Sequence, residues 1–589
     1  MVSFWHKKQS KACILAMIFF VLFSFIIFVM LKTDRPEEEQ ASFFIYDRTR
    51  DIKIIPEEKE GVCRIYLPSG FSLSEFKLVK DDQTILEDLS ILENEDKLLI
   101  DGKEYLFDVV ETDGISSLFI DVKTGDIDKV NADKYKNEKA RALLQVIDEK
   151  GNADLEEYAS IKGRGNTSWR FYEKKPYNIR FDSAVSMLGM SEDKHWALLA
   201  NEVDGTEIDN ALVYDFARKL DLSYVPDYRY INVYIDGKYN GLYLLSERIE
   251  VSNTRLNLKR DSSYLLEIDL NAKHDLLDNF FISEGNNLVE IHYPQIVSNS
   301  FLAVIENEVN DFEAALKDLE SDRWKEMIDI DSFARVYLID ELFENVDGGY
   351  CSVFFYKGDD GKLVRGPLWD YDRCFGYSAR QIMAGNARKY GNQLSDSYNY
   401  WLLKRDEFKD RVRQIYEKEF LPVLQDYGYA RIEEIQRLIS SSYNADCIRW
   451  DREENIDSYK KIQPFLEQRS LFLSDYFENE DRYVKLQIED ELHYLNNFIL
   501  EKGSSIYDAY DLDKGLLNTI LYEKESGEVF NKDQAVNDDL CLVRGEEYET
   551  YLPDLSTANK ENVGFFNLAA VAAFLFCFGL AVHIIRKRI

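Results

Sequence analysis

The chain has 589 residues, 45% hydrophobic and 14% aromatic, with a formal charge of −36 and seven cysteines. That length exceeds a single hydrophobic core and calls for two or more domains. The aromatic content excludes a disordered chain, and the acidity argues against partners such as nucleic acid or anionic lipid. The cysteines form no Cys-x-x-Cys pair and no His-Glu-x-x-His occurs, so neither a disulfide framework nor a zinc motif is expected.

Residues 1–11 are short and basic, and residues 12–31, "ACILAMIFFVLFSFIIFVML", carry no charge. Residues 563–585 are likewise uncharged and are followed by Arg586, Lys587 and Arg588 within the terminal 586–589. Each run is long enough to cross a hydrocarbon core of about 30 Å as a helix. Lys7, Lys8 and Lys11 precede the first run, so the positive-inside rule places both ends in the cytoplasm and the large middle region outside the cell. A cleaved signal peptide is the poorer reading of the first run, because "MLKTDRP" offers no small-residue cleavage site.

Residues 32–57 are charged and aperiodic, as a linker would be. From 58 to 112 short alternating runs such as "CRIYLPSG" and "KLLIDGKEYLFDVV" predict a small antiparallel β domain. A larger unit spans 113–480. "SLFIDV", "RALLQVID", "YASIKGRG" and "PYNIRF" read as strands, and "RYINVYIDGKYNGLYLLSE" as a hairpin turning at Asp236-Gly237. "ALVYDFARKL" has helical spacing, and "SYLLEID" is a further strand. Helices dominate beyond residue 300: one places Val304, Ile305, Val309, Phe312 and Leu316 on one face, and the next has Asp331 as its N-cap. Further helical patterns cover 406–424, 430–450 and 458–477, before a short β region at 483–558. β-rich first and helical later implies an α+β fold in two lobes.

The stretch "NVDGGYCSVFFYKGDDGKLVRGPLWDYDRCFG" carries the chemistry. "CSVFFYK" and "KLVRGPLW" read as hairpin arms around "GDDG". A hairpin brings its open ends together, so Asp347 and Asp370 become neighbours although far apart in sequence. Phosphoryl transfer needs such a pair, one carboxylate for the attacking hydroxyl and one for a divalent ion on the phosphates. Arg365 and Arg373 are the alternative partners of Asp370.

The blocks "KGRGNTSWRFYEKKPYNIRFD", "HWALLANEVDGTEIDNAL", "INVYIDGKYNGLYLLSERIE", "YLLEID" and "FFYKGDDGKLVRGPLWDYDRCFG" resemble, in this order, the CotH family of spore-coat-protein-H-like atypical protein kinases. The resemblance covers about residues 115–400, with helices continuing toward 480. It implies a two-lobed kinase-like core, ATP and Mg²⁺ or Mn²⁺ as cofactors, and phosphorylation of protein Ser or Thr. By motif position Asp347 takes the catalytic role and Asp370 the metal role, with Asp372 and Ser352 as weaker metal candidates. Arg164 of "GRGNTSW" and either Lys174 or Lys175 would meet the phosphates. Glu247 would hold that lysine, Trp169 or Tyr172 would stack on adenine, and Glu267 and Asp269 fall where a lobe-connecting hinge would be. "VDGTEIDNAL" departs from the family, which more often has a basic residue where Asp209 stands.

The resulting expectation is a membrane-tethered extracytoplasmic kinase acting on envelope or spore-coat-type proteins, with a basic or Ser-rich protein as substrate. A catalytically inactive kinase-like scaffold is the alternative. A glycoside hydrolase using Asp370 and Asp372, about 7 Å apart along one strand, ranks last, since no other sugar-site pattern accompanies it.

Overall fold

The computed structural model describes residues 43–93, 96–112, 114–269, 279–345, 347–375, 397–452, 458–489, 495–508 and 519–545, with short strands at 39–40, 388–390 and 393–395. The apolar segments 12–31 and 563–585 lie outside the described residues. Among the described helices none is long and apolar enough to cross a membrane. The architecture is mixed α+β in two compact units, the larger running through Glu480 and the smaller comprising Asp481 onward with Lys389–Asn392.

The centre of the larger unit is a closed seven-stranded barrel. Six antiparallel pairings run through Ser116–Thr124, Lys139–Ile147, Ala153–Gly163, Tyr177–Val185, Asp193–Leu199, Lys238–Glu247 and Tyr228–Ile235. A parallel pairing of Ser116–Thr124 with Tyr228–Ile235 closes it. Alternation builds the interior: Leu118, Ile120, Leu144, Val146, Ile161, Ile179, Trp196, Val233 and Leu245 fill it. The predicted hairpin turns at Asp236 (φ 50°) and Gly237 (φ 83°), the left-handed pair that a two-residue turn of this hand requires.

The β region preceding the barrel differs from expectation in three ways. Residues 43–57, expected as a linker, supply the strands Phe43–Asp47 and Ile52–Ile54, which bury Phe43, Ile45, Ile52 and Ile54 in its core. One of its two sheets is not purely antiparallel, because Val62–Pro68 runs parallel to Lys103–Thr112. It is also not a separate body, since its core is continuous with Phe119, Tyr234 and Tyr239 on the barrel's outer surface. Tyr66 stacks on Tyr239 with ring centroids 4.4 Å apart, and the Tyr234 hydroxyl donates to the Tyr66 carbonyl at 3.0 Å. Alternating strands were legible, but the sheet contact needed both faces to be apolar, which period-two reading does not reveal.

A second sheet follows, in the spatial order Phe280–Ile282, Leu288–Tyr293, Leu265–Ile268, Val353–Lys357, Leu363–Arg365. Helices Asn299–Lys317 and Ile330–Leu342 accompany it. In the first, Ile305, Val309, Phe312 and Leu316 are buried as the spacing predicts, while Val304 is exposed, at the edge of the stripe. In the second, the N-cap is Asp329, which accepts from the Ser332 amide at 2.8 Å, not Asp331. Asp331 instead pairs with Arg411 at 2.6 Å. The helices Tyr429–Arg449 and Ile462–Glu478 complete this unit. In the smaller unit, Tyr483–Glu489 pairs antiparallel with Leu495–Glu501 and parallel with Leu540–Arg544, over a core of Leu486, Ile488, Leu500 and Leu542.

Gly163, ending a barrel strand, lies against the Trp169 indole so closely that an added Cβ would fall inside van der Waals contact of the ring. Gly163→Ala is therefore expected to lower stability by about 1–3 kcal/mol, the usual cost of overpacking, read as a lower midpoint in denaturant unfolding with an unchanged slope.

Candidate functional site

The catalytic-type stretch folds as the sequence implies: Val353–Lys357 and Leu363–Arg365 pair antiparallel. Ser352 before the first arm and Asp370 after the second both adopt left-handed backbone, with φ of 55° and 65°. Such conformations cost about 1–3 kcal/mol for residues other than glycine and concentrate at functional sites. Here they turn both side chains toward each other, and the Ser352 hydroxyl donates to Asp370 Oδ2 at a long 3.5 Å.

Tyr371 sets the direction of its two neighbours. Its amide donates to Asn210 Oδ1 at 2.8 Å and its buried hydroxyl to Asp340 Oδ1 at 2.8 Å. Asp340, near the end of helix Ile330–Leu342, also accepts from Asn345 and lies 3.8 Å from Arg365. With Tyr371 pinned inward, Asp370 and Asp372 face a common acidic environment. Burial raises the Asp370 pKa; Arg164 opposes this, and Asp347 and Glu267 push it further up. Asp372 is raised well above the carboxylate range by burial and then by Asp370, Asp347 and Asp204. Asp347 itself is flanked by Arg373, whose guanidinium lies 3.3 Å from its Oδ1.

The two arginines weighed as partners for Asp370 are engaged elsewhere. Arg365 donates to the Phe354 carbonyl at 2.7 Å and faces Asp340, and Arg373 meets Asp347. Arg164 stacks over the Trp369 ring at 5.1 Å and is the cation that acts on both Asp370 and Asp372.

The remaining sequence candidates are not gathered there. Lys174 is fully enclosed: its Nζ is 3.1 Å from Glu207 Oε1 and 2.8 Å from Asp446 Oδ1. Burial lowers its pKa against the pull of Glu207. Lys175 donates to the Trp169 carbonyl at 2.7 Å and to that of Tyr172. Glu247 does not hold either lysine. It accepts from the Tyr224 hydroxyl at 2.9 Å and the Asp227 amide at 3.0 Å, because its strand end is tied to the Tyr224–Asp227 segment. Trp169 is part of the barrel core, its indole N–H donating to the Asp133 carbonyl at 2.9 Å, so its ring is not presented for stacking.

Sequence reasoning missed the carboxylates that line a cavity of about 410 Å³ beside Asp372: Asp204 and Asp209, with Thr206, Lys461 and Phe465 also in the wall. Asp204 Oδ1 caps the turn by accepting from the Thr206 amide at 2.7 Å and from the Glu207 amide, while its buried Oδ2 has no partner. Burial and the neighbouring Glu207 push the Asp204 pKa up to about 7. Asp209 is raised well above the ordinary range by burial, Asp204 and Asp372. The only sequence signal was the departure at Asp209; nothing local indicated that its segment would face "WDYD".

With these geometries in hand, comparison with known families gives a direct assignment. The profile of the family described as CotH kinase protein matches residues 161–473, just over half the chain. The chain belongs to this family. No curated protein matches it.

The raised Asp204 pKa carries a sign. Its folded value of about 7 exceeds the ordinary 3.8, so between those values the folded chain holds a proton that the unfolded chain has released, and this group's contribution to stability falls as pH rises. Asp204→Asn keeps the capping oxygen and removes the titration. Its melting temperature relative to the parent should climb from about pH 4 to about pH 7 and level off above, measured by calorimetry across that range.

Proposed function

We propose that this protein is an atypical protein kinase that transfers the γ-phosphoryl group of ATP to a Ser or Thr hydroxyl, on a two-lobed kinase-like core in which the barrel is the first lobe. The observation that carries this reading is the convergence of Asp347 and Asp370 at the open end of one hairpin, within a chain of the CotH kinase family.

A hard divalent cation such as Mg²⁺ or Mn²⁺ suits the donors there. Asp370 and Asp372 offer carboxylate oxygens and Ser352 a hydroxyl, and the charge of Asp347 pushes up the pKa of both Asp370 and Asp372. When bound, the ion would offset the negative charge of the phosphates. Asp347 accepts the proton from the attacking hydroxyl, the new oxygen–phosphorus bond forms, and the bond to the departing ADP oxygen breaks. Arg373 fixes the Asp347 carboxylate in position. Arg164, over the Trp369 ring, offers N–H groups to phosphate oxygens. The acidic cavity beside Asp372 suits a basic side chain near the acceptor hydroxyl, so the favoured substrate is a basic, Ser-bearing protein. The apolar segments 12–31 and 563–585, with their basic flanks, would tether the enzyme with its domains outside the cytoplasm.

The enclosure of Lys174, with Lys175 engaged by the Trp169 and Tyr172 carbonyls, favours the second reading, a kinase-like scaffold without catalysis. One assay separates the two. The full-length chain is incubated with labelled ATP, Mg²⁺ or Mn²⁺ and a basic Ser-rich protein. Catalysis requires transfer that falls at least about 100-fold in Asp347→Asn and in Asp370→Asn, with both variants still folded by circular dichroism. Transfer no higher in the parent than in these variants, with either metal, would leave only the scaffold.

A further inference from the structure

Outside the hairpin, three metal-ligating side chains converge on the second sheet. Glu267 on Leu265–Ile268 stands directly opposite Glu290 on Leu288–Tyr293. The pairing then slips: Leu266 meets Ile291 and Leu265 meets Tyr293, which leaves His292 as the extra residue of a β-bulge. Bulges re-aim side chains and recur beside functional sites. Here the bulge turns the His292 ring onto the two carboxylates, with Nε2 at 2.6 Å from Glu267 Oε2 and 3.8 Å from Glu290 Oε2. One ligand atom from each of the three residues lies within 4.8 Å of the others, and no second group of three such residues does so among the described residues.

We propose that Glu267, Glu290 and His292 form a binding site for a first-row divalent transition ion, Zn²⁺ being the ion the site would favour over Mg²⁺ or Ca²⁺. The imidazole nitrogen sets the class, because Mg²⁺ and Ca²⁺ select oxygen-only shells whereas one nitrogen with two carboxylates suits Zn²⁺ and its neighbours. Separations of 2.6 and 3.8 Å bracket the spacing of about 3–3.5 Å between ligands on an ion held at about 2.1 Å. The side chains keep 13–28% exposure, which leaves an open side for water or a further ligand. The charge of Glu250 acts on the neighbouring Arg248 more strongly than that of Glu267 does. The site is joined to the hairpin by register, since Glu267 also pairs with Phe354 on Val353–Lys357 and its charge is among those acting on Asp370. A cation there fastens two strands and withdraws negative charge from the neighbourhood of Asp370.

The inference does not rest on phosphotransfer, and its test uses no nucleotide. The full-length chain is stripped with a chelator and titrated with Co²⁺, a spectroscopic stand-in for Zn²⁺, and separately with Zn²⁺ by calorimetry. The site predicts one equivalent of Co²⁺ with a visible absorption band and Zn²⁺ competition for it. His292→Gln and Glu290→Gln should each weaken binding at least about tenfold with unchanged circular dichroism, while Asp370→Asn should keep the band. The absence of a band in the stripped parent, or equal binding by the parent and both triad variants, would overturn the proposal. Because Glu290 is partly exposed, its variant tests the site even should His292→Gln fail to fold.

Discussion

Like charges crowded into a half-buried site are the constraint around which this molecule is organised. Asp370 and Asp372 are both raised in pKa, first by burial and then by neighbouring carboxylates, and Asp204 and Asp209 extend the same acidic field. Several ionised carboxylates cannot share such a place unless protons or cations join them. Arg164 and Arg373 stand at its margins, over Trp369 and against Asp347 respectively. A fold that selects this arrangement accepts a stability cost that ordinary packing would avoid, a cost that a divalent ion bound there, as proposed, would offset.

The cost is contained by the elements behind the site. Tyr371 separates the two acidic residues and is tied to Asn210 and Asp340. Asp340 belongs to a helix that is itself anchored, since the fully buried Arg469 donates to Glu341 Oε2 at 2.8 Å and to the Glu341 carbonyl at 2.9 Å. Charge-assisted bonds of this kind are among the stronger ones a protein makes. The left-handed backbone at Ser352 and Asp370 is thus held by a framework tied further in through Tyr371, Asp340 and Arg469.

What was legible in the sequence follows from how far each interaction reaches along the chain. The hairpin that gathers Asp347 and Asp370 is local, so turn residues and alternation revealed it. The strands of the barrel other than Asp193–Leu199 were legible one by one, but its closure by a parallel pairing of Ser116–Thr124 with Tyr228–Ile235 was not, because nothing in a strand's own pattern names its partner. The same limit governs the site. Arg164 could be placed from its glycine-flanked turn, whereas the partners of Lys174 come from a loop 33 positions away and a helix far beyond it. Glu247 would hold that lysine only in the role that a helical Glu has in kinases, and here its hydrogen bonds go instead to Tyr224 and Asp227.

The Lys174 cluster shows why an enclosed lysine is no loose end in this fold. Its two carboxylates are shared: Glu207 Oε1 also accepts from Arg452 at 2.9 Å, and Asp446 Oδ1 also accepts from the Leu242 amide at 2.7 Å. Gly241, with φ of 110°, leaves the room that the Asp446 carboxylate occupies, and a Cβ there would collide with it. Barrel strand, acidic loop and the long helix Tyr429–Arg449 therefore meet at one buried set of alternating charges. Glu207 lies in the turn that Asp204 caps, so the same few residues that lock the lysine also present Asp204 and Asp209 to the cavity. Removing positive charge from one end of that turn would loosen the acidic face at the other, which couples the enclosed cluster to the site without requiring the lysine to reach it.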